Sequence, residues 1–200
     1  RAFVDTTGFP IGNTNALRDP DNRPVRYVSW QEALAYCNWL NEGLKSVESV
    51  ASSEICERVR SGKWRVDLPS EMEWEKAARG GLPNAVFSWG DTPDPQSANY
   101  ADSNIGDTSA AGCFPLNQFG LHDLIGNVWE WTRGLWGFDY PYDRNCEDRD
   151  AGNEGLRVVR GGSWGSLRDY ARCAFGSGDP PDYRLDDLGF RVVLRSAPVP

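Results

Sequence analysis

Gly126-Asn127-Val128-Trp129-Glu130-Trp131 sets two tryptophans on either side of an acid near the middle of the chain. In an extended segment side chains alternate, so Trp129 and Trp131 share one face while Glu130 points the other way. Glu130 then meets solvent, an arginine, or a metal beside Asn127. Downstream, Arg157-Val158-Val159-Arg160-Gly161-Gly162-Ser163-Trp164 and Gly189-Phe190-Arg191-Val192-Val193-Leu194 carry short β-branched runs that predict two buried strands. The Gly165–Asp187 segment between them is too rich in Gly, Pro, Asp and Ser for a core, and polar segments held between strands commonly carry binding function.

Upstream, Ser29-Trp30-Gln31-Glu32 and Ser70-Glu71-Met72-Glu73 have capping-box spacing, the Ser oxygen facing the N3 amide and the Glu reaching back to the Ser amide. The first predicts a helix with Trp30, Ala33, Leu34, Cys37 and Leu40 on one face, stopped at Gly43. The second predicts a helix with a Trp74, Ala77 and Ala78 stripe, ended by Gly80-Gly81. Trp64–Leu68 alternates like a strand, and Glu54–Arg60 reads as a short helical turn. Residues 1–28 read as loop leading to a short strand at Val25–Val28. From Pro83 to Gly120 the text is irregular and needs anchoring. Aromatics can supply part of it, and Asp91, Asn99, Asp102, Asn104 and Asp107 could supply the rest around a hard cation such as calcium. Phe138–Glu154, acidic and Tyr-rich, reads as an exposed loop.

The 200 residues, 40% hydrophobic and 25% charged, suit one globular domain spanning 1–200. Nine Trp and 21 Gly favour a compact fold of loops and short strands around aromatic anchors. A net charge of −8 without a basic patch argues against a nucleic-acid or anionic-membrane surface, and no apolar run approaches the roughly 20 residues of a membrane span. The chain opens on Arg1 and its one Met is Met72, so a native start, with any targeting signal, is expected upstream, leaving both cytoplasm and cell surface open. Five Cys (Cys37, Cys56, Cys113, Cys146, Cys173) show no C-x-x-C pair; a Cys56–Cys146 or Cys113–Cys146 bridge is weighed against buried or free thiols, and the thiols are favoured.

Leu68-Pro69-Ser70-Glu71-x-Glu73-Trp74-Glu75-x-Ala77-Ala78-Arg79-Gly80-Gly81, Phe119-Gly120-Leu121-x-Asp123, the Gly126–Trp131 stretch, Arg160-Gly161-Gly162-Ser163-Trp164 and Gly189-Phe190-Arg191 together resemble the formylglycine-generating enzyme domain. The resemblance runs from about Val25 to Leu194, and the residues before it resemble the end of that family's first helix. It implies an α+β, C-type-lectin-like fold with low regular secondary structure, two main helices and short antiparallel strands. It also implies calcium bound by loops, with Asn127, Glu130 and the backbone oxygens of Gly126 and Val128 as one site. Asn99, the Tyr100 carbonyl and Asp107 would be a second.

The family's oxidase needs two nearby thiols after Gly-Gly-Ser, because soft thiolates hold Cu(I) and one reacts with the substrate cysteine. This chain reads Gly165-Ser166-Leu167-Arg168-Asp169-Tyr170-Ala171-Arg172 there, so no copper is expected, and Cys173 reads as structural. The one histidine, His122, reads as packed or hydrogen-bonded rather than ligating. Residues 165–187 contain no Lys, Glu, Gln, Met or Trp, and every residue there can be written by a codon ending in C. That alphabet, which replacement of adenines in AAC codons leaves behind, resembles the variable segment of diversity-generating retroelement proteins.

The reading is therefore a non-enzymatic binding protein with a variable region at 157–194, facing a protein ligand. Its expected contact residues are Trp164, Gly165, Ser166, Leu167, Arg168, Asp169, Tyr170, Phe175, Ser177, Asp179, Tyr183, Leu185, Asp186 and Asp187. Large aromatics among small polar residues resemble a paratope. The competing readings are a copper-dependent formylglycine-generating oxidase or related enzyme, and an invariant sensor or structural module.

Overall fold

The computed structural model describes residues 1–46, 54–137 and 155–197. The expected loop at Phe138–Glu154, with Cys146, lies outside them. Both capping boxes form. Ser29 Oγ accepts from the Glu32 amide at 3.2 Å while Glu32 Oε2 accepts from the Ser29 amide at 2.7 Å, opening α2 (Trp30–Ser46). Ser70 and Glu73 do the same for α4 (Glu71–Arg79), which Gly80 closes in a left-handed conformation. Gly43, expected to stop α2, does not: the helix runs on to Ser46. A glycine ends a helix by turning left-handed, and inside one it costs only about 1 kcal/mol against alanine. Packing of the α2 stripe outweighs that.

The N-terminal residues are not all loop. Ala2–Thr7 forms α1, whose Phe3 ring lies against Tyr36 and Trp39 of α2. The strand expected at Val25–Val28 is absent, because Tyr27 takes φ +60° and donates its amide to the Leu185 carbonyl. Glu54–Arg60 is α3 and Trp64–Asp67 is β1, as their sequences predict.

The main sheet has four strands in the order β4-β3-β2-β5: Gly176–Asp179, Arg157–Arg160, Trp129–Leu135 and Leu188–Phe190. β3 is antiparallel to both neighbours, but β5 runs parallel to β2, so the strands are not all antiparallel. Val158 and Val159 are buried in β3 as expected. The second β-branched run departs from expectation: Val192 is 39% exposed, and Val193 and Leu194 open β6 (Val193–Ser196), a partly exposed strand that pairs with β1 in a separate two-stranded sheet.

Alternation along β2 sends Trp131 into a core with Trp30, Ala33, Cys37, Leu68, Val159 and Leu188, against which Trp129 packs, while Glu130 turns to Trp74 of α4. Trp74 belongs to a second core with Phe87, Tyr100, Leu124, Ile125 and Cys173. The sheet thus lies between α2 and α4. The irregular stretch after Pro83 is anchored by stacked Phe87 and Trp89, by buried Tyr100, and by a bridge of Asn99 to Gly126. Gly126 sits so close to the Asn99 carbonyl that a Cβ would collide with it.

Candidate functional site

The motif residues meet one another around α4. Glu71 and Glu75 both reach the guanidinium of Arg160, whose remaining Nη protons cap the Cys173 and Ala174 carbonyls. Trp74 Nε1 donates to Glu130 Oε2 at 2.6 Å. Arg191 grips both oxygens of the same carboxylate, with Nη2 at 2.7 Å from Oε1, and also caps the His122 and Asp123 carbonyls. Of the three partners open to Glu130, the fold selects an arginine. Burial disfavours the Arg191 charge, but the Glu130 carboxylate outweighs it and holds the guanidinium above its ordinary range.

Calcium is affected directly. An ion at Glu130 would share its carboxylate with the three donors of Arg191 and Trp74. Asn127 has its own partners: its Oδ1 accepts from the Ser109 amide at 2.9 Å and its main-chain oxygen accepts from Trp164. In the second expected set, Asp107 takes Arg23 and Arg26, and Asn99 donates to the Asp107 carbonyl while its Oδ1 accepts from Ser103. The Tyr100 carbonyl accepts from the Ser103 amide and hydroxyl. Asp91 accepts from the Val86 amide and Asp102 pairs with Arg168. These oxygens anchor the irregular stretch by binding the chain itself.

The expected contact segment is held down at its ends and open between them. Ser163 donates its hydroxyl to Asp187 Oδ2 at 2.8 Å, its amide to Ser166 Oγ at 2.8 Å, and the Asp187 carbonyl accepts from Trp129. Burial pushes the Asp187 carboxyl up against the pull of Ser163. Asp179 is raised as well, by burial and then by Asp187. Leu167, Tyr170, Tyr183 and Leu185 are between 40% and 60% exposed. Gly165, Arg168, Asp169 and Asp186 are exposed too, while Trp164, Phe175 and Ser177 are half-buried.

Ser166 is the departure from expectation: it is 8% exposed, its carbonyl accepts from Ala101, and its hydroxyl supports Ser163, so it is frame. Trp129, which the sequence places only on a strand face with Trp131, has its ring 6.0 Å from Phe175, which lies 5.0 Å from Tyr170. Arg184 pairs with Glu32 on the flank. Burial works against the Glu32 charge, but the Ser29 and Gly12 amides and then Arg184 hold its carboxyl below the usual range.

Among the described residues, the one histidine and the Cys173 thiol are each tied into the fold. His122, with Nδ1 at 2.8 Å from the Phe114 carbonyl, stays hydrogen-bonded as its sequence context suggests. Cys173 is wholly buried and its thiol is pushed up to about 11 by burial, so at neutral pH it carries no thiolate. Cys37 is wholly buried and pushed up to about 12. Cys37, Cys56, Cys113 and Cys173 are all free thiols.

The model of the sulfatase-modifying factor enzyme 1-like domain matches residues 5–196. The chain belongs to that family. Mouse formylglycine-generating enzyme is 32% identical over 205 residues, covering 94% of this chain and 49% of that protein. The cattle protein named inactive C-alpha-formylglycine-generating enzyme 2 is 33% identical, covering 92% of this chain and 54% of its own length. The chain thus spans about half the length of these curated relatives. Among solved structures, Treponema denticola variable protein 1 superimposes with a TM-score of 0.72 at 26% identity, over 95% of this chain and 79% of that one. The chain thus resembles in sequence one protein named as an enzyme and one named as inactive, and in fold a protein named as variable. The fold is mixed α and β of the C-type-lectin-like, formylglycine-generating type.

Proposed function

We propose that this domain is a non-enzymatic ligand-binding protein whose Gly165–Asp187 segment is a variable surface diversified by a retroelement. The observation that carries the reading is the division of that segment. Leu167, Arg168, Asp169, Tyr170, Tyr183, Leu185 and Asp186 stand in solvent and bear little of the fold, while Ser166, Ala171 and Cys173 are buried beneath them. Exposed positions on a rigid frame can change without unfolding it. The codon alphabet of the segment and the likeness to the Treponema variable protein support the same reading. The ligand is a protein, since rigid aromatics amid Ser, Gly and Asp supply contact area at low entropy cost.

Sequencing the gene with its flanks tests this. A neighbouring reverse transcriptase and an imperfect repeat of codons 157 to 194, differing only at template adenines, are the expected result. Their absence would favour an invariant sensor. Kinship with formylglycine-generating enzyme keeps a catalytic reading in play. Against it stands the buried, protonated Cys173, with no second thiol between Gly165 and Asp187. Incubation with Cu(I) and a cysteine-containing peptide should yield no aldehyde, and aldehyde formation would replace the binding reading.

A further inference from the structure

A cavity of about 450 Å³ opens on the α4 side of the main sheet, and neither Ser163 nor Asp187 lines it. Its walls come from two sources. The frame supplies Leu135 and Trp136 at the end of β2, Val158 and Arg160 of β3, and Glu71 of α4; the proposed variable segment supplies Phe175 with its neighbours Arg172 and Ala174. Trp136 is 45% exposed yet fixed in place, because its ring lies over Gly178 of β4, where any Cβ would collide with it, and its amide donates to the Leu156 carbonyl. An exposed tryptophan packed on a glycine and sharing a cavity with a phenylalanine is the kind of surface that gives interfaces their strongest contacts.

The polar groups of the cavity are also incompletely used. Arg160 is 2% exposed, and its Nε has no partner among the described residues. Glu71, on the same cavity wall, accepts from Arg160 Nη1 at Oε1 at 3.2 Å. A buried donor left without a partner costs free energy, and a tyrosine hydroxyl, which accepts as well as donates, is the aromatic group able to recover it.

We propose that this cavity receives the aromatic side chain of a protein ligand, a tyrosine or tryptophan, with its ring between Trp136 and Phe175 and its OH or indole NH donated to Glu71. The proposal rests on the binding-protein reading only for the class of partner. The volume lies within the range of sites for small ligands and suits one large side chain with its adjoining backbone. Arg160 is neutralised by Glu71 and Glu75, so an uncharged group with a hydrogen-bond donor fits better than an anion. Because Phe175 belongs to the variable segment, a change there would reshape the cavity while the frame side, Trp136 and Glu71, stayed constant.

The test uses ¹⁵N-labelled protein and N-acetyl-tyrosinamide, N-acetyl-tryptophanamide and, as control, N-acetyl-alaninamide. The Trp136 indole signal is assigned with Trp136→Phe. The aromatic amides should shift that signal with dissociation constants on the order of 1 mM, and the alanine amide should not. Ala174→Trp, which fills the cavity, should abolish the shift. Phe175→Ala, which removes one wall without adding bulk, should weaken it and serves if the first variant does not fold. An unmoved indole signal, an equal response to the alanine amide, or a shift that survives both substitutions would overturn the proposal. Tighter binding of free tyrosine than of its blocked amide would overturn the peptide source. None of these outcomes depends on whether the gene proves to be diversified.

Discussion

Replacing Arg191 with methionine removes the only cation on Glu130 among the described residues, and the structure sets the size of the loss. The Glu130 side chain is 6% exposed and that of Arg191 is 25% exposed, so the pair is buried on one side and touched by water on the other. Breaking a buried pair by deleting one partner costs about 3–5 kcal/mol, because the other charge is left without compensation. Partial exposure of Arg191 and the surviving Trp74 bond bring this toward the lower end; loss of the donors to the His122 and Asp123 carbonyls acts the other way. A cost of about 3 kcal/mol corresponds to a melting temperature lower by about 6–12 °C in a domain of this size. Urea unfolding of the wild type, Arg191→Met, Glu130→Gln and the double variant gives the coupling. The double variant should be less destabilised than the sum of the singles by about 2 kcal/mol. The measurement is repeated with calcium and with EGTA, which should leave the wild type unchanged. An Arg191→Met cost under about 1 kcal/mol, the central value for an ordinary substitution, would refute the reasoning. So would a wild type that EGTA destabilises and an Arg191→Met protein that calcium restores, since calcium would then be the true partner of Glu130.

Two further outcomes follow from burial. Brief alkylation of the native protein at pH 8 should label Cys113, which is exposed, and spare Cys37, Cys56 and Cys173, as peptide mass mapping would show; rapid labelling of Cys173 would contradict its place in the core. Both raised thiols favour the neutral form in the folded state. Their contribution is therefore whole below the unfolded thiol value of about 8.5 and is lost as pH rises toward about 11 for Cys173 and about 12 for Cys37. Stability that rose between pH 8.5 and 10 in the wild type relative to Cys37→Ala/Cys173→Ala would reverse that sign. Finally, Leu167→Ser, Tyr170→Ser and Tyr183→Ser should each change stability by no more than about 0.5 kcal/mol, whereas Leu188→Ala, wholly buried beside them in sequence, should cost about 2–5 kcal/mol. Equal costs across the four would mean that the segment is structural and not replaceable.

The parts of the fold that were legible in sequence are those in which a residue answers a neighbour. Ser29 with Glu32 and Ser70 with Glu73 act within one helical turn, and Trp129, Glu130 and Trp131 take their faces from the strand repeat alone. The spacing of long motifs was legible too, and with it the family. What the motifs were for was not: they carry the family resemblance, and they form the ties among α4, β2, β3 and the residue after β5. Gly43 shows the limit of a local rule, since the packing of α2 decides whether a glycine turns left-handed.

Sequence by itself therefore determined the starts of α2 and α4, the family and the segment without a thiol pair, because each depends on residue identity or on interactions within a few positions. Tertiary structure alone decided that Glu130 meets Arg191, 61 residues away, and that Ser166 is frame beneath an exposed Leu167. It also decided that Val193 pairs with Asp67 outside the main sheet, and that Phe175 and Trp136 line one cavity. Such pairings cross loops of many residues whose closure depends on the whole core, so no local pattern of charge or hydropathy specifies them.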